Sequence, residues 1–209
     1  MKGLKSLERF STLFLVAGLI CFLIAFGLLG VWPALMTDKL DNSAGEIKEV
    51  PRDFKIYYQS VDEYKKALFL GKQIYIKEAC WHCHSQYIRP VGNESPRYGL
   101  VSTAGEYQNE LNKPHLFGTR RVGPDLIREA GKRTNDWHFA HLYNPKSTEP
   151  MSVMPSYTWY FDKSTNPPKP TPEGVALVAY LQSLGAWAAD VKRTQFDTNQ
   201  ITMPPEPDF

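Results

Sequence analysis

Hydrophobic and polar positions divide the chain into two unequal parts. From Phe10 to Thr37 no residue carries a charge, and Ser11 to Trp32 is almost continuously apolar. As a helix that stretch is roughly 33 Å long at about 1.5 Å per residue, enough to cross a hydrocarbon core of about 30 Å. Trp32 suits the membrane interface, and Pro33 is expected to end the helix. Beyond the span the pattern breaks into short periods. Asp41 to Gly45 is turn-like, and Phe54 to Tyr58 alternates as a strand does. Tyr64, Ala67, Leu68, Gly71, Ile74 and Tyr75 recur at steps of three and four, which predicts a helix from about Val61 to Glu78. Residues 85–122 hold no sustained period and are rich in Gly, Pro, Asn and Ser. They predict a long loop region with short elements inside it, of the kind that is functional or packs on a partner. A second helix is expected from Thr134, as its cap, to Tyr143, stopped by Asn144-Pro145. A final helix opens at Thr171-Pro172-Glu173, shows an apolar face of Val175, Leu177, Val178, Leu181 and Leu184, and closes at Gly185. The tail after Asp190 is polar and rich in proline.

Charge adds an orientation. The net charge of the 209 residues is +2, which gives no electrostatic case for nucleic acid. Lys2, Lys5 and Arg9 precede the apolar span with only Glu8 against them, so the positive-inside rule keeps the N-terminus cytoplasmic and exports the chain beyond the span. Three of the 24 bases and one of the 22 acids lie before the span, so the exported part is electrically balanced. The apolar run is longer than that of a cleaved signal peptide, and no small-x-small cleavage site comes after it, so a retained anchor is expected. Cys21 lies mid-span behind the bulky Ile20 and is expected to be an ordinary small apolar residue rather than a lipidation site.

The exported part has two cysteines, and they belong to one unit, Cys80-Trp81-His82-Cys83-His84. Cys-x-x-Cys-His is the pattern of a c-type haem attachment site. Two thiols one helical turn apart can each add to a haem vinyl group, and the next residue, His84, is then placed under the iron. Such a group predicts further parts. Met154, which precedes the stiffening Pro155, is the preferred sixth ligand; Met151, His115, His138 and His141 are the other candidates. Core packing is the ordinary fate of a methionine, and a satisfied or surface imidazole that of the two histidines in the second helix. The carbonyl of Pro124, in Gly123-Pro124-Asp125-Leu126, can accept the Nδ1 proton of His84 and fix the ring, although Gly-Pro-Asp is also a common turn. Arg89, Arg97, Arg120 and Arg121, with Tyr98 and Trp137, are candidate contacts for haem propionates. Any single one of them is equally a solvated or partner-facing residue.

These residues resemble a known family. Gly71 and Tyr75 before Cys80-x-x-Cys83-His84, then Gly123 to Leu126, Met154-Pro155 and a last helix with Tyr180-Leu181 resemble a class I cytochrome c domain, in which the first and last helices cross. The resemblance implies that Gly71 sits against Tyr180. With the anchor, Glu78 to Pro90, Gly118 to Leu126 and Met151 to Tyr157, the chain is similar to the membrane-anchored mono-haem cytochrome c subunit of cbb(3)-type cytochrome c oxidases. The resemblance implies an all-α chain: a cytoplasmic N-terminus over 1–10, a transmembrane anchor over 11–33, a linker over 34–60, a cytochrome c domain with a long inserted loop region over 61–190, and a tail over 191–209. It implies one covalent haem c and a place in the bacterial inner membrane with the haem domain periplasmic. The implied partners are the haem-copper catalytic subunit, a di-haem cytochrome c subunit and periplasmic cytochrome c donors. Electrons would pass to haem b of the catalytic subunit, where oxygen is reduced, and residues 85–122 would be the docking surface.

Three rivals share parts of this pattern. A thiol–disulfide oxidoreductase would use Cys80 and Cys83, but such sites come after a strand in a βαβ unit, and a helical pattern precedes Cys80. A zinc site of Cys80, Cys83, His138 and His141 would have a tighter His-x-x-His spacing than usual. A standalone anchored cytochrome c would share every haem feature and lack the oxidase.

Overall fold

The computed structural model describes residues 2–36, 47–107 and 110–186. The chain divides into two units, Met1–Asn42 and Ser43–Phe209. The turn expected at 41–45 and the tail over 191–209 lie outside the described residues.

The first unit is helical. Helix α1 runs Lys2–Ala25, a π-helical turn covers Phe26–Val31, and α2 continues over Trp32–Met36. Phe10–Met36 contains an 18-residue window with a mean hydropathy of 2.8, so this segment is long and apolar enough to cross a membrane. Pro33 lies inside α2, so the expected stop there is corrected. Proline has no N–H to give the carbonyl four residues back, and its ring crowds that carbonyl. The wider turn just before it takes up this mismatch: the Trp32 N–H bonds the carbonyl of Gly27, five residues back.

The second unit is built on two helices, α3 over Val61–Lys77 and α7 over Pro172–Ser183, which pack against each other. Between them lie α4 over Glu94–Tyr98, α5 over Asn135–Tyr143, α6 over Pro145–Thr148, and a two-residue antiparallel pair, β1 over Phe161–Asp162 and β2 over Lys169–Pro170. The start of α3 is fixed by a reciprocal cap: Glu63 N–H donates to Ser60 Oγ at 3.2 Å and Ser60 N–H to Glu63 Oε2 at 3.3 Å. Thr134 and Thr171 cap α5 and α7 through the N–H groups of Trp137 and Gly174. A Cβ on Gly71 would lie 2.0 Å from the carbonyl oxygen of Ala176 and 2.7 Å from Tyr180 Cβ. The missing side chain is therefore what lets the two backbones meet. Next to that contact the Tyr75 and Tyr180 rings lie 5.5 Å apart at 59°.

Phe54 to Tyr58 is not extended. Arg52–Phe54 is a 3-10 turn, and Tyr58 N–H bonds the Phe54 carbonyl at 3.0 Å. The four-residue spacing puts both rings on Tyr64, each 5.7 Å from it. A strand would have carried Ile56 to the same side, yet Ile56 is 76% exposed. Val50 and Phe54, in the stretch read as linker, are buried in the core of the second unit.

Candidate haem-attachment site

Helix α3 ends at Lys77, and Ala79 takes a left-handed conformation at φ 56°. This turns the chain sharply into a 3-10 segment over Cys80–His82. Cys83 and His84 N–H both bond the Cys80 carbonyl, at 3.1 and 2.9 Å. Cys80, partly buried, and Cys83, exposed, thus leave one tight turn together, with His84 immediately behind. Trp81 stacks on His82 at 4.0 Å and packs against the core beside Cys80.

A short parallel pairing holds the next residues. Gly123 N–H bonds the Cys83 carbonyl at 2.9 Å and Leu126 N–H the Ser85 carbonyl at 2.8 Å, around a Ser85–Asp125 bridge. Within it, His84 Nδ1 lies 3.0 Å from the Pro124 carbonyl oxygen. A carbonyl only accepts, so the proton is on Nδ1 and Nε2 carries the lone pair. Gly123 lies flat under the ring: a Cβ there would be 2.3 Å from His84 Cε1. Gly118 meets the same segment from its backbone side, 2.5 Å from the His84 carbonyl oxygen by the same measure. Burial lowers the pKa of His84 and favours the neutral imidazole, while the bond to Pro124 works the other way. A neutral imidazole with its far nitrogen fixed is the form that ligates a metal.

Met154 is partly buried against the main core, in the same cluster as Cys80 and Trp81, and its N–H bonds Ser152 Oγ at 3.2 Å. Met151 is 85% exposed. His115 is held by the Asn112 carbonyl at 2.8 Å and stacks on Phe117. His141 bonds Thr148 Oγ1 at 2.6 Å under the Trp137 ring, which lies 4.6 Å from it and near-parallel. His138 is buried, with Nε2 unpaired and the Glu129 carboxylate 3.9 Å away. Burial, then His141 and Arg133, push its pKa down to about 4.

The candidate propionate residues divide. Arg89 and Arg121 both hold the carboxylate of Glu94, and Arg121 Nη1 also bonds Asp125 Oδ2 at 2.7 Å. Burial alone would raise the Glu94 carboxyl, but the hydrogen bonds from Arg89 and Arg121 outweigh it and hold it at about 2. Arg121 also stands 5.0 Å over the Tyr98 ring, and Arg97 5.1 Å over it. Arg120 is exposed and lines a small cleft with Arg89, Arg121, Ser85, Tyr87 and Phe117. Trp137 lies apart from these, between Arg133 and His141.

Sequence reasoning missed Asp125 as a hub, the bidentate Arg128–Glu106 pair and the buried Lys72. Arg128 Nε and Nη2 donate to Glu106 at 3.0 and 2.7 Å, and Lys72 Nζ donates to the Pro114 carbonyl at 3.0 Å. A buried charge leaves no trace in hydropathy, whether in the aperiodic loop or, as with Lys72, within the periodic helix α3. The Arg and Glu content of the loop was the only signal.

The rivals fit this geometry poorly. Burial, reinforced by Glu78, pushes the Cys80 thiol up to about 12, against the low pKa that thiol–disulfide exchange requires. A helix leads into the motif, and the described strands are confined to β1 and β2. Cys80, Cys83, His138 and His141 do not converge, and no cluster of three metal-ligating side chains occurs among the described residues.

A helical domain with one thiol pair and one oriented histidine, behind an apolar helix long enough to cross a membrane, has the parts of a single-haem membrane subunit. The family model described as cytochrome c oxidase, mono-haem subunit/FixO matches residues 4–173, and the chain belongs to that family. It is a mono-haem subunit of a cytochrome c oxidase complex. No curated protein matches the chain.

Proposed function

We propose that the second unit is a class I cytochrome c-like domain that relays electrons within a cbb(3)-type oxidase. Cys80 and Cys83 would hold one haem c through thioethers, and His84 Nε2 and Met154 Sδ would ligate its iron. Bound there, haem supplies a one-electron iron couple whose potential a thioether ligand raises. The carrying observation is His84: Nδ1 is spent on Pro124, Gly123 clears the face of the ring, and Nε2 is left with its lone pair. Pro124 keeps the imidazole in one tautomer and orientation. Arg120 is exposed and has no ion pair with Glu94, Glu106 or Asp125, so it is open to a propionate. Arg89, Arg97, Arg121, Tyr98 and Trp137 remain in that role only where their present partners can share them.

The anchor sits in the bacterial inner membrane with the N-terminus cytoplasmic and the haem domain periplasmic. Electrons enter from periplasmic cytochrome c donors, directly or through a di-haem subunit, and leave for haem b of the haem-copper catalytic subunit. Oxygen is reduced to water in that partner. Support comes from family membership and from the apolar helix long enough to cross a membrane, and the loop 85–122 is the proposed docking surface. Mild detergent purification should bring haem b and copper with this chain, and a denaturing gel stained for haem peroxidase should show one band near 23.8 kDa. Isolation as a lone haem-stained chain would leave a standalone cytochrome c; no stained band would remove the haem reading.

A further inference from the structure

The geometry points to Asp125 as a positioning residue for His84, acting through Ser85 and the Pro124 carbonyl. This rests on the reading that His84 ligates haem iron.

Asp125 is 2% exposed, and both of its carboxylate oxygens are occupied. Oδ2 accepts from Ser85 Oγ at 2.6 Å, from Tyr87 N–H at 2.9 Å and from Arg121 Nη1 at 2.7 Å. Oδ1 accepts from Ile127 N–H at 2.9 Å. A buried carboxylate is tolerated only when it is paired and fully bonded, as this one is. Its place in the chain matters more than its charge. Asp125 shares a peptide plane with Pro124, whose oxygen holds Nδ1, while Ser85 is the residue next to His84. The carboxylate therefore grips both ends of the His84–Pro124 bond from outside: one side through its own backbone, the other through the Ser85 hydroxyl. The Cys83–Gly123 and Ser85–Leu126 bonds fix the spacing of the two segments but not the tilt of one peptide plane. Asp125 fixes the tilt, and Arg121, tied in turn to Glu94, holds Asp125. Outer bonds of this kind set ring orientation and ligand basicity.

The test uses the full-length, haem-loaded chain in detergent, labelled with 15N-histidine. Two variants loosen the grip in different ways. Ser85→Ala removes the hydroxyl and leaves the charge. Asp125→Asn removes the charge and turns an amide N–H toward groups that are already donors. Both should speed exchange of the His84 Nδ1 proton by at least tenfold. Asp125→Asn should also shift the oxidised-to-reduced ratio at the parent midpoint about tenfold toward reduced, about 59 mV for one electron. Arg128→Gln, which breaks the separate Glu106 pair, should leave the exchange rate unchanged. Unchanged exchange in Ser85→Ala overturns the proposal, whatever the potential does, because a shifted potential alone accompanies the loss of any nearby charge. Equal acceleration in Arg128→Gln overturns it too, by showing general loosening. If Asp125→Asn does not fold, Ser85→Ala decides. Failure of the underlying haem reading is separate: the parent would then give no haem-stained band.

Discussion

A methyl group on Gly123 would press on the face of the His84 imidazole, so Gly123→Ala must push the ring away from Pro124 or open the pairing of the two segments. Thioether formation needs only the thiols. The variant should therefore still stain for haem while losing the low-spin spectrum of the parent. Met154→Ala should abolish the near-infrared sulfur-to-iron band of the oxidised protein, while Met151→Ala, at a side chain standing in solvent, should keep it. His138 gives a pH prediction. Its folded pKa, about 4, lies below the ordinary value of 6.5. A depressed pKa contributes stability that is complete above the unfolded value and is lost as pH falls through the folded one. Thermal midpoints should therefore drop between about pH 6.5 and pH 4, and His138→Leu should flatten that slope. Glu129, raised by burial, works in the opposite sense above its ordinary value of 4.5, so its own contribution fades as pH rises.

At the scale of elements, the seam between α3 and α7 rests on Gly71. An alanine there gains roughly 1 kcal/mol of helix propensity, but its methyl meets backbone, which cannot rotate away. Overpacking of this kind costs about 1–3 kcal/mol, so Gly71→Ala should lower the denaturant midpoint, and Gly71→Val more so. The elements were legible where the physics is local. Thr134 and Thr171 announced their helix starts because a cap is a contact within three residues. Phe54 to Tyr58 misled because alternate apolar residues fit a strand, whereas tertiary contact with Tyr64 selected a turn. Residues 85–122 were legible only as a loop. Its order comes from Glu94 and Glu106 finding Arg121 and Arg128, 27 and 22 residues further along the chain, and such pairs have no period. The unit Cys80 to His84 stood out in the sequence because two thiols and a histidine at that spacing are what thioether attachment would require. Pro124 was legible as an acceptor, but the glycine beside it and the aspartate after it show their purpose only once the two segments are paired.

At the scale of the molecule, a buried lysine ties the loop region to the helical core. Lys72 is 4% exposed, and burial lowers its pKa to about 8 from an ordinary 10.5. The same linkage applies with the same sign: the fold is penalised for the charge below pH 8 and relieved of it above 10.5. Relative to Lys72→Met, the parent should gain stability as pH rises through that window, measured as the difference between their denaturant midpoints. The anchor makes a coarser prediction. Alkaline carbonate should leave the full chain with the membranes, and protease added to spheroplasts should reach the haem domain but not the N-terminus.

The meeting of Tyr75 with Tyr180 joins residues from opposite ends of the second unit. In the proposed orientation the domain crosses the membrane with α3 leading and α7 last. Cys80 and Cys83 then emerge while the segment that must close over α3 is still on the other side. During that interval the thiols belong to an open chain, accessible to whatever attaches haem. Arrival of α7 is the step that shuts the window, so the timing of cofactor loading is written into the order of the helices.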